Sequence, residues 1–382
     1  MIPTSLYIHI PWCVKKCPYC DFNSHTAEQR LPEQAYLNAL LTDLEYDLKQ
    51  FGPQSISTIF IGGGTPSLMS ADFYAKLINA ISKRVALATN AEITLEANPG
   101  TIEADKFKGF FAAGINRLSI GVQSFNDQHL QRLGRIHDSG CAQLAIDLAL
   151  SAGFKKINID LMFGLPEQNE ADAMRDLDIA LSYPVNHLSW YQLTIEPNTV
   201  FYREQPVLPN IDRIHDVHQQ GQTKLASNGF TQYEISAYAK PDGACKHNLN
   251  YWQFGDYLGI GAGAHGKITE IKNEKKPRIT RTQKTRLPKV YLTKATQAPT
   301  ELGKANVLPK SEYLFECLLN GFRLKEGIAL EQVLARAGTT NDALAKALLS
   351  PINKQLVTLN QERINTTPLG WQHVDEVLQM LL

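Results

Sequence analysis

Ser5-Leu6-Tyr7-Ile8-His9-Ile10-Pro11-Trp12-Cys13-Val14-Lys15-Lys16-Cys17-Pro18-Tyr19-Cys20 is the stretch from which the rest of the chain can be read. Its first six residues alternate and are rich in β-formers, which predicts a strand running straight into a cysteine loop. Three of the chain's six cysteines fall within eight residues here, whereas Cys141, Cys245 and Cys317 are scattered. That distribution describes a ligand cluster rather than a disulfide framework. Thiolates select soft metals, either zinc or an iron–sulfur cluster. Three ligands leave one position open. Spacing alone admits zinc, with His9 or His25 as a fourth ligand. A cubane with one iron unligated by protein suits a loop that follows the first strand of an α/β domain better, because that iron can chelate a second molecule.

Outward from this stretch the pattern repeats. Pro32 to Phe51 carries apolar residues at helical spacing and ends at Gly52-Pro53. Strand-like runs follow at Thr58–Ile61, Glu92–Ala97, Arg117–Gly121, Lys156–Met162 and His187–Leu193, with helical periodicity between them. Strands alternating with helices predict a parallel sheet with right-handed crossovers. Six units suit either a partial barrel or a doubly wound sheet, and in both the chemistry gathers at the carboxyl ends of the strands. Those ends are polar or glycine-rich: the cysteines, Gly62-Gly63-Gly64-Thr65-Pro66, Glu96-Ala97-Asn98-Pro99, Gln123-Ser124, Asp160 with Gly164-Leu165-Pro166, and Tyr191-Gln192. Successive glycines allow positive φ and close approach to a ligand.

Beyond Pro197 the rhythm breaks. A helix is expected near Asp212–Asn228, then an irregular stretch holding Cys245-Lys246-His247-Asn248 and the glycine-rich Gly259–Gly266. From Lys267 to Lys294 ten Lys or Arg face two Glu, which reads as a solvated strand face or loop. After Pro299 short helices (Ser311–Asn320, Leu330–Ala337, Asp342–Leu349), a hairpin within Leu356–Trp371 and a last helix resemble a winged-helix unit. No arginine-rich recognition helix accompanies it, so packing rather than nucleic-acid binding is expected. The expected divisions are 1–240 for a core barrel, 241–298 for an extension of that core, and 299–382 for the smaller domain.

Composition agrees with a folded chain. Its 382 residues are 43% hydrophobic, with 38 basic against 38 acidic side chains, which excludes disorder and a globally basic surface. No apolar run approaches the roughly 18 residues of a membrane span, and the N-terminus lacks signal-peptide features, so a cytoplasmic location is expected.

Cys13-x3-Cys17-x2-Cys20, with Tyr19 just before the third cysteine, resembles the loop of the radical S-adenosylmethionine (SAM) superfamily. The resemblance implies a partial (β/α)6 barrel, a [4Fe–4S] cluster on Cys13, Cys17 and Cys20, and SAM on the fourth iron. A closer resemblance covers nearly the whole chain. Tyr7–Cys13, Gly62–Ser67, Glu96–Gly100, Gly121–Phe125 and Asp160–Pro166 are similar to blocks of the oxygen-independent coproporphyrinogen III oxidases. Within that family the match is to the HemW branch of heme chaperones. Asp21-Phe22 stands where the oxidase has a fourth nearby cysteine, no extension precedes the first strand, and His247-Asn248-Leu249-Asn250-Tyr251-Trp252 is similar to the branch's HNxxYW motif.

The resemblance implies SAM contacts from Tyr7, Tyr19, Gly63, Gly64, Thr65, Glu96, Gln123, Arg135 and Asp160, with Glu96 as the catalytic candidate. It also implies heme contacts from His247, Tyr251 and Trp252, with Cys245 and His265 as competing axial ligands. The basic run could border heme propionates. A heme-accepting protein and a flavodoxin- or ferredoxin-type electron donor are the implied partners; no nucleic acid is expected, and peripheral membrane association stays open. The enzymatic alternative is radical decarboxylation of coproporphyrinogen III propionates to vinyl groups. A zinc-stabilised α/β protein is a third reading.

Overall fold

The computed structural model describes residues 2–27, 30–101, 104–271 and 277–382. Six parallel strands, β1 (Thr4–Ile10), β2 (Ser55–Gly63), β3 (Ala86–Ala97), β4 (Arg117–Gln123), β5 (Lys156–Phe163) and β6 (His187–Gln192), lie side by side in chain order. A doubly wound sheet reverses its strand order within its run of βα units, and these six strands do not. The architecture is therefore the partial (β/α)6 barrel. Each expected strand is present, with ends displaced by at most six residues.

These strands are buried on both faces for different reasons. Leu6, Ile8 and Ile10 of β1, Ile59 and Ile61 of β2, and Ile93 and Leu95 of β3 pack with Tyr36, Leu40 and Leu44 of helix α1 (Glu33–Phe51) in one apolar cluster. The alternate residues line the barrel interior, as the two-residue strand period requires. Among them are Phe60, Thr94, Glu96, Ser119, Asn158 and Ser189. The lumen is largely polar.

The sheet is extended at both edges. β7 (Thr231–Glu234) and β8 (Ala237–Ala239) add antiparallel strands beside β6. On the other edge β9 (Asp256–Ile260) runs parallel to β1, followed by antiparallel β10 (His265–Glu270), β11 (Arg278–Lys284) and β12 (Gly303–Val307). The Gly259–Gly266 stretch is thus not irregular throughout: it holds the end of β9, a tight turn and the start of β10. The expected loop at Cys245–Asn248 is likewise corrected. Lys246–Trp252 forms a helix, α2, whose first free N–H, that of Lys246, donates to Glu92 Oε1 at 2.8 Å. A cap supplied 154 residues away leaves no local signal.

The basic run is also corrected. Lys267 is buried and pairs with Asp256 at 2.7 Å, and Lys284 is buried between Asp43 and Asp47, each at 2.6 Å. Arg281 pairs with Glu316 and Arg278 with Glu270. Lys272, Lys275 and Lys276 lie outside the described residues. Lys267, Arg278, Arg281 and Lys284 are thus paired with acids, while Arg286 and Lys289 are exposed, so the solvated reading holds only for the end of the run.

Past the sheet, α3 (Tyr313–Gly321), α4 (Leu330–Ala337) and α5 (Asn341–Asn353) combine with a sheet of Ile328–Ala329, Arg363–Thr366 and Val357–Leu359 in the order of a winged-helix unit. It has its own core around Phe322, Val333, Leu344, Leu348 and Ile364, into which Phe254 and Ile279 of the barrel side insert. Among the described residues no helix is long and apolar enough to cross a membrane.

Removing the ammonium of Lys284 would leave two carboxylates buried together. Lys284→Met should lower stability by about 3–5 kcal/mol in urea denaturation at pH 7. A change below about 1 kcal/mol would show that Asp43 and Asp47 do not depend on it.

Candidate functional site

The cysteine loop closes over the carboxyl end of the barrel. Trp12–Cys13 pairs in parallel with His25–Thr26, and Ala27 N–H donates to Cys13 O at 2.8 Å, so the loop is tied at both ends. Asn23 anchors it from within by donating to Ala262 O and Arg286 O, each at 3.0 Å. The turn that receives Asn23 needs its glycines: Gly263 has φ +87 and a Cβ there would lie 2.2 Å from Asn23 Nδ2. Cys13, Cys17 and Cys20 all line one cavity of about 400 Å³ that continues into the lumen. Arg135 Nη1 donates to Cys17 Sγ at 3.5 Å. Burial pushes the thiols of Cys13 and Cys20 up, so both would ionise only on binding metal. Among the described residues no three His, Cys, Asp or Glu side chains converge closely enough for a single metal ion. All three thiols line the cavity, and three thiolates are a donor set of iron–sulfur clusters. The donor set and the space fit that group.

Beside the thiols lie the residues named for SAM. Gly63, with φ +116, packs so tightly on His9 that a Cβ would come within 2.6 Å of the ring, and its N–H donates to Glu96 Oε2 at 3.1 Å. Gly64 is equally confined, 2.6 Å from Trp12 O for an added Cβ. Glu96 is raised to about 7, first by burial and then by the neighbouring Asp160. Asp160 is raised by burial against hydrogen bonds from Ser119 at 3.0 Å and Asn158 at 2.7 Å. Gln123 takes φ +72 and accepts from Tyr191 OH at 2.9 Å; Arg135 Nη2 donates to Gly121 O at 2.8 Å. Tyr19, Thr65, Gln123, Arg135 and Asp160 line the same cavity as the cysteines. Tyr7 lies just behind it, its hydroxyl 3.0 Å from His9 Nδ1.

One polar layer escaped the reading of strand ends. Strand register aligns Glu96 with Ser119, Ser119 with Asn158 and Asn158 with His187. Asn158 joins them, donating to Ser119 Oγ at 2.8 Å and accepting from Ser189 at 3.2 Å, with His187 Nδ1 at 2.6 Å. The available signal was a polar residue at every second position: Ser119, Asn158 and Asp160, and His187 and Ser189.

His247, Tyr251 and Trp252 do not join this cavity. His247 is 1% exposed on α2, with Nδ1 at 2.8 Å from Thr58 Oγ1 and its ring against Phe60 and Tyr251 at 5.1 and 4.7 Å between centroids. Burial lowers it to about 3, so it is neutral, and Nε2 has no protein partner. A neutral imidazole with a free nitrogen has ligand chemistry. Space is lacking, however, and as packed these residues do not fit a heme. Tyr251 and Trp252 border a separate cavity of about 180 Å³ with Lys267 and Arg281. Cys245 and Asn248 do reach the lumen, while His265 is exposed at the start of β10.

Comparison with known proteins follows this geometry closely. Residues 7–180 match the Radical SAM superfamily and residues 308–373 the HemN C-terminal domain. "Heme chaperone HemW" of Haemophilus influenzae is 47% identical over 100% of this chain and 98% of its own length. The chain belongs to the HemW family. HemW of Escherichia coli is 46% identical with the same coverage, and HemW of Bacillus subtilis 34% identical over 94% of this chain and 93% of its own. The solved structure of coproporphyrinogen III oxidase (HemN) from Escherichia coli superposes with a TM-score of 0.82, covering 100% of this chain and 90% of that one at 22% identity, which establishes a shared fold. Membership of the radical SAM superfamily implies a [4Fe–4S] cluster and SAM for this HemW-family chain.

His247 lowered from 6.5 to about 3 makes the fold sensitive to acid. The unfolded chain takes up a proton below about 6.5 that the folded ring refuses, so His247 favours folding above that value and this contribution is lost as pH falls towards 3. His247→Leu should flatten the decline in urea-measured stability between pH 6.5 and 4. An unchanged slope would show that the ring is not sealed.

Proposed function

We propose that this chain is a heme chaperone that carries a [4Fe–4S] cluster and SAM, binds one heme and passes it to an acceptor protein. The observation that carries this reading is the single cavity shared by three thiols and the SAM candidates, in a chain whose full-length relatives are named heme chaperones. Cys13, Cys17 and Cys20 would hold the cluster, which when reduced supplies an electron for cleaving SAM. Gly63, Gly64, Thr65, Gln123 and Arg135, flanked by Tyr7 and Tyr19, would hold and orient SAM. Glu96 and Asp160 would face its positively charged groups, Glu96 only when ionised. A reductase of flavodoxin or ferredoxin type is the proposed electron source. Heme contact through His247, Tyr251 and Trp252 requires α2 to leave the barrel floor.

Anaerobic reconstitution with iron and sulfide analysis tests the cluster: about four irons are expected in the wild type, and none in Cys17→Ala. Retention of iron by Cys17→Ala would refute the assignment. Heme titration then tests the chaperone reading, and turnover of coproporphyrinogen III with SAM and a reductant would replace it with the oxidase reading. In the same titration His247→Ala should leave the Soret band unchanged if heme sits elsewhere; a lost band would show that α2 opens.

SAM binding should also depend on pH. Glu96, raised to about 7, is largely protonated at pH 6 and ionised at pH 8. SAM affinity should rise by roughly tenfold across that interval, and Glu96→Gln should bind weakly with no such rise. Equal pH profiles for the two proteins would remove Glu96 from the SAM site.

A further inference from the structure

Below the Glu96 layer, the lumen ends in two polar atoms with nothing to bond. Thr94 and Arg117 are neighbours on β3 and β4 in direct register, and both line the cavity. Thr94 Oγ1 and Arg117 Nη2 are both buried without a hydrogen-bond partner, and the Arg117 side chain is only 1% exposed. Buried donors of this kind are rarely left empty-handed in a native fold.

One acid serves the cations at this level of the lumen. Glu92 is the acid at the floor, with Oε2 3.1 Å from Lys156 Nζ and 3.6 Å from Arg117 Nη1, while Oε1 accepts the Lys246 N–H. Arg117 Nη1 is committed to Gly243 O at 2.9 Å. Two cations therefore share one carboxylate. His187 does not add to the charge, since burial and Arg117 hold its ring neutral. A guanidinium edge and a hydroxyl, each with an atom that no protein group bonds, beside the apolar wall of Phe60, form a receptor for a carboxylate on a short carbon chain.

We propose that the floor of the lumen binds one carboxylate, held by the Arg117 guanidinium and the Thr94 hydroxyl. The group would enter from the cysteine loop and pass Glu96 and Asp160. A tetrapyrrole propionate and a free short-chain acid offer the same chemistry. The site does not depend on the heme reading, because either source would occupy it.

The test is calorimetric titration of the full-length, cluster-reconstituted protein with butyrate, with hemin and with hemin dimethyl ester. If a propionate occupies the floor, hemin should bind about tenfold or more tighter than its ester, and the gap should close in Arg117→Met and narrow in Thr94→Val. If a free acid is the ligand, butyrate should bind the wild type and fail to bind Arg117→Met, with hemin and ester equal. Thr94→Val is nearly isosteric and keeps the test alive should Arg117→Met misfold. Equal binding of hemin and ester together with no butyrate binding would overturn the proposal. Failure of both hemin and ester to bind would refute the heme reading alone, and butyrate would still decide the floor.

Discussion

Strand register is the constraint on which this site depends. In a parallel strand alternate residues face the same side, so once Glu96 is paired with Ser119 and Ser119 with Asn158, the whole inner surface is set. A slip of one residue in any of the six strands would send Leu95, Leu118 or Ile159 into the lumen and its polar neighbours into the helix interface. The apolar outer face prevents that slip. Burial of Ile and Leu against α1 and its successors thus holds the cavity chemistry in place, although none of those residues touches it.

A polar lumen is costly unless its groups are paired. Most are: Asn158 alone bonds Ser119, Asp160, His187 and Ser189. Hydrogen bonds from this network offset part of the burial that raises Asp160, as the Gly63 N–H does for Glu96. Pairing fails at the floor, at Thr94 and Arg117, and at Nε2 of His247 on the far side of Phe60. Buried polar atoms left unpaired in the lumen, there and at Arg135 Nε beside the cysteines, mark where ligand atoms, rather than protein atoms, are the natural partners.

Much of this was legible in the sequence because it rests on local signals. The alternation in Ser5–Ile10, the strand-like runs between helical stretches, the cysteine spacing and the glycine runs located the six barrel strands and the mouth of the cavity, but not the parallel strand β9. What escaped depends on distant partners. α2 was read as a loop because its cap is Glu92, on the third strand. The basic run was read as solvated because Asp43, Asp47 and Asp256, which pair with Lys284 and Lys267, lie far away or carry no pairing signal of their own. The Asn158 layer has no signal at the strand ends, because Ser119, Asn158 and Ser189 lie well before them.

α2 shows how the parts are coupled. Its first N–H is bonded to Glu92 at the lumen floor, and its last turn touches the winged-helix unit, where Arg336 bonds Gln253 O and Arg323 lies 4.2 Å over the Trp252 ring. Glu92 in turn shares its charge with Arg117. A shift of the C-terminal unit would therefore pull on Trp252, tilt the helix that seals His247 and disturb the acid that half-neutralises Arg117. The HNxxYW residues occupy this junction. Their positions make them a mechanical link between the outer domain and the base of the cavity, so any ligand chemistry at His247 is tied to how firmly that domain is docked.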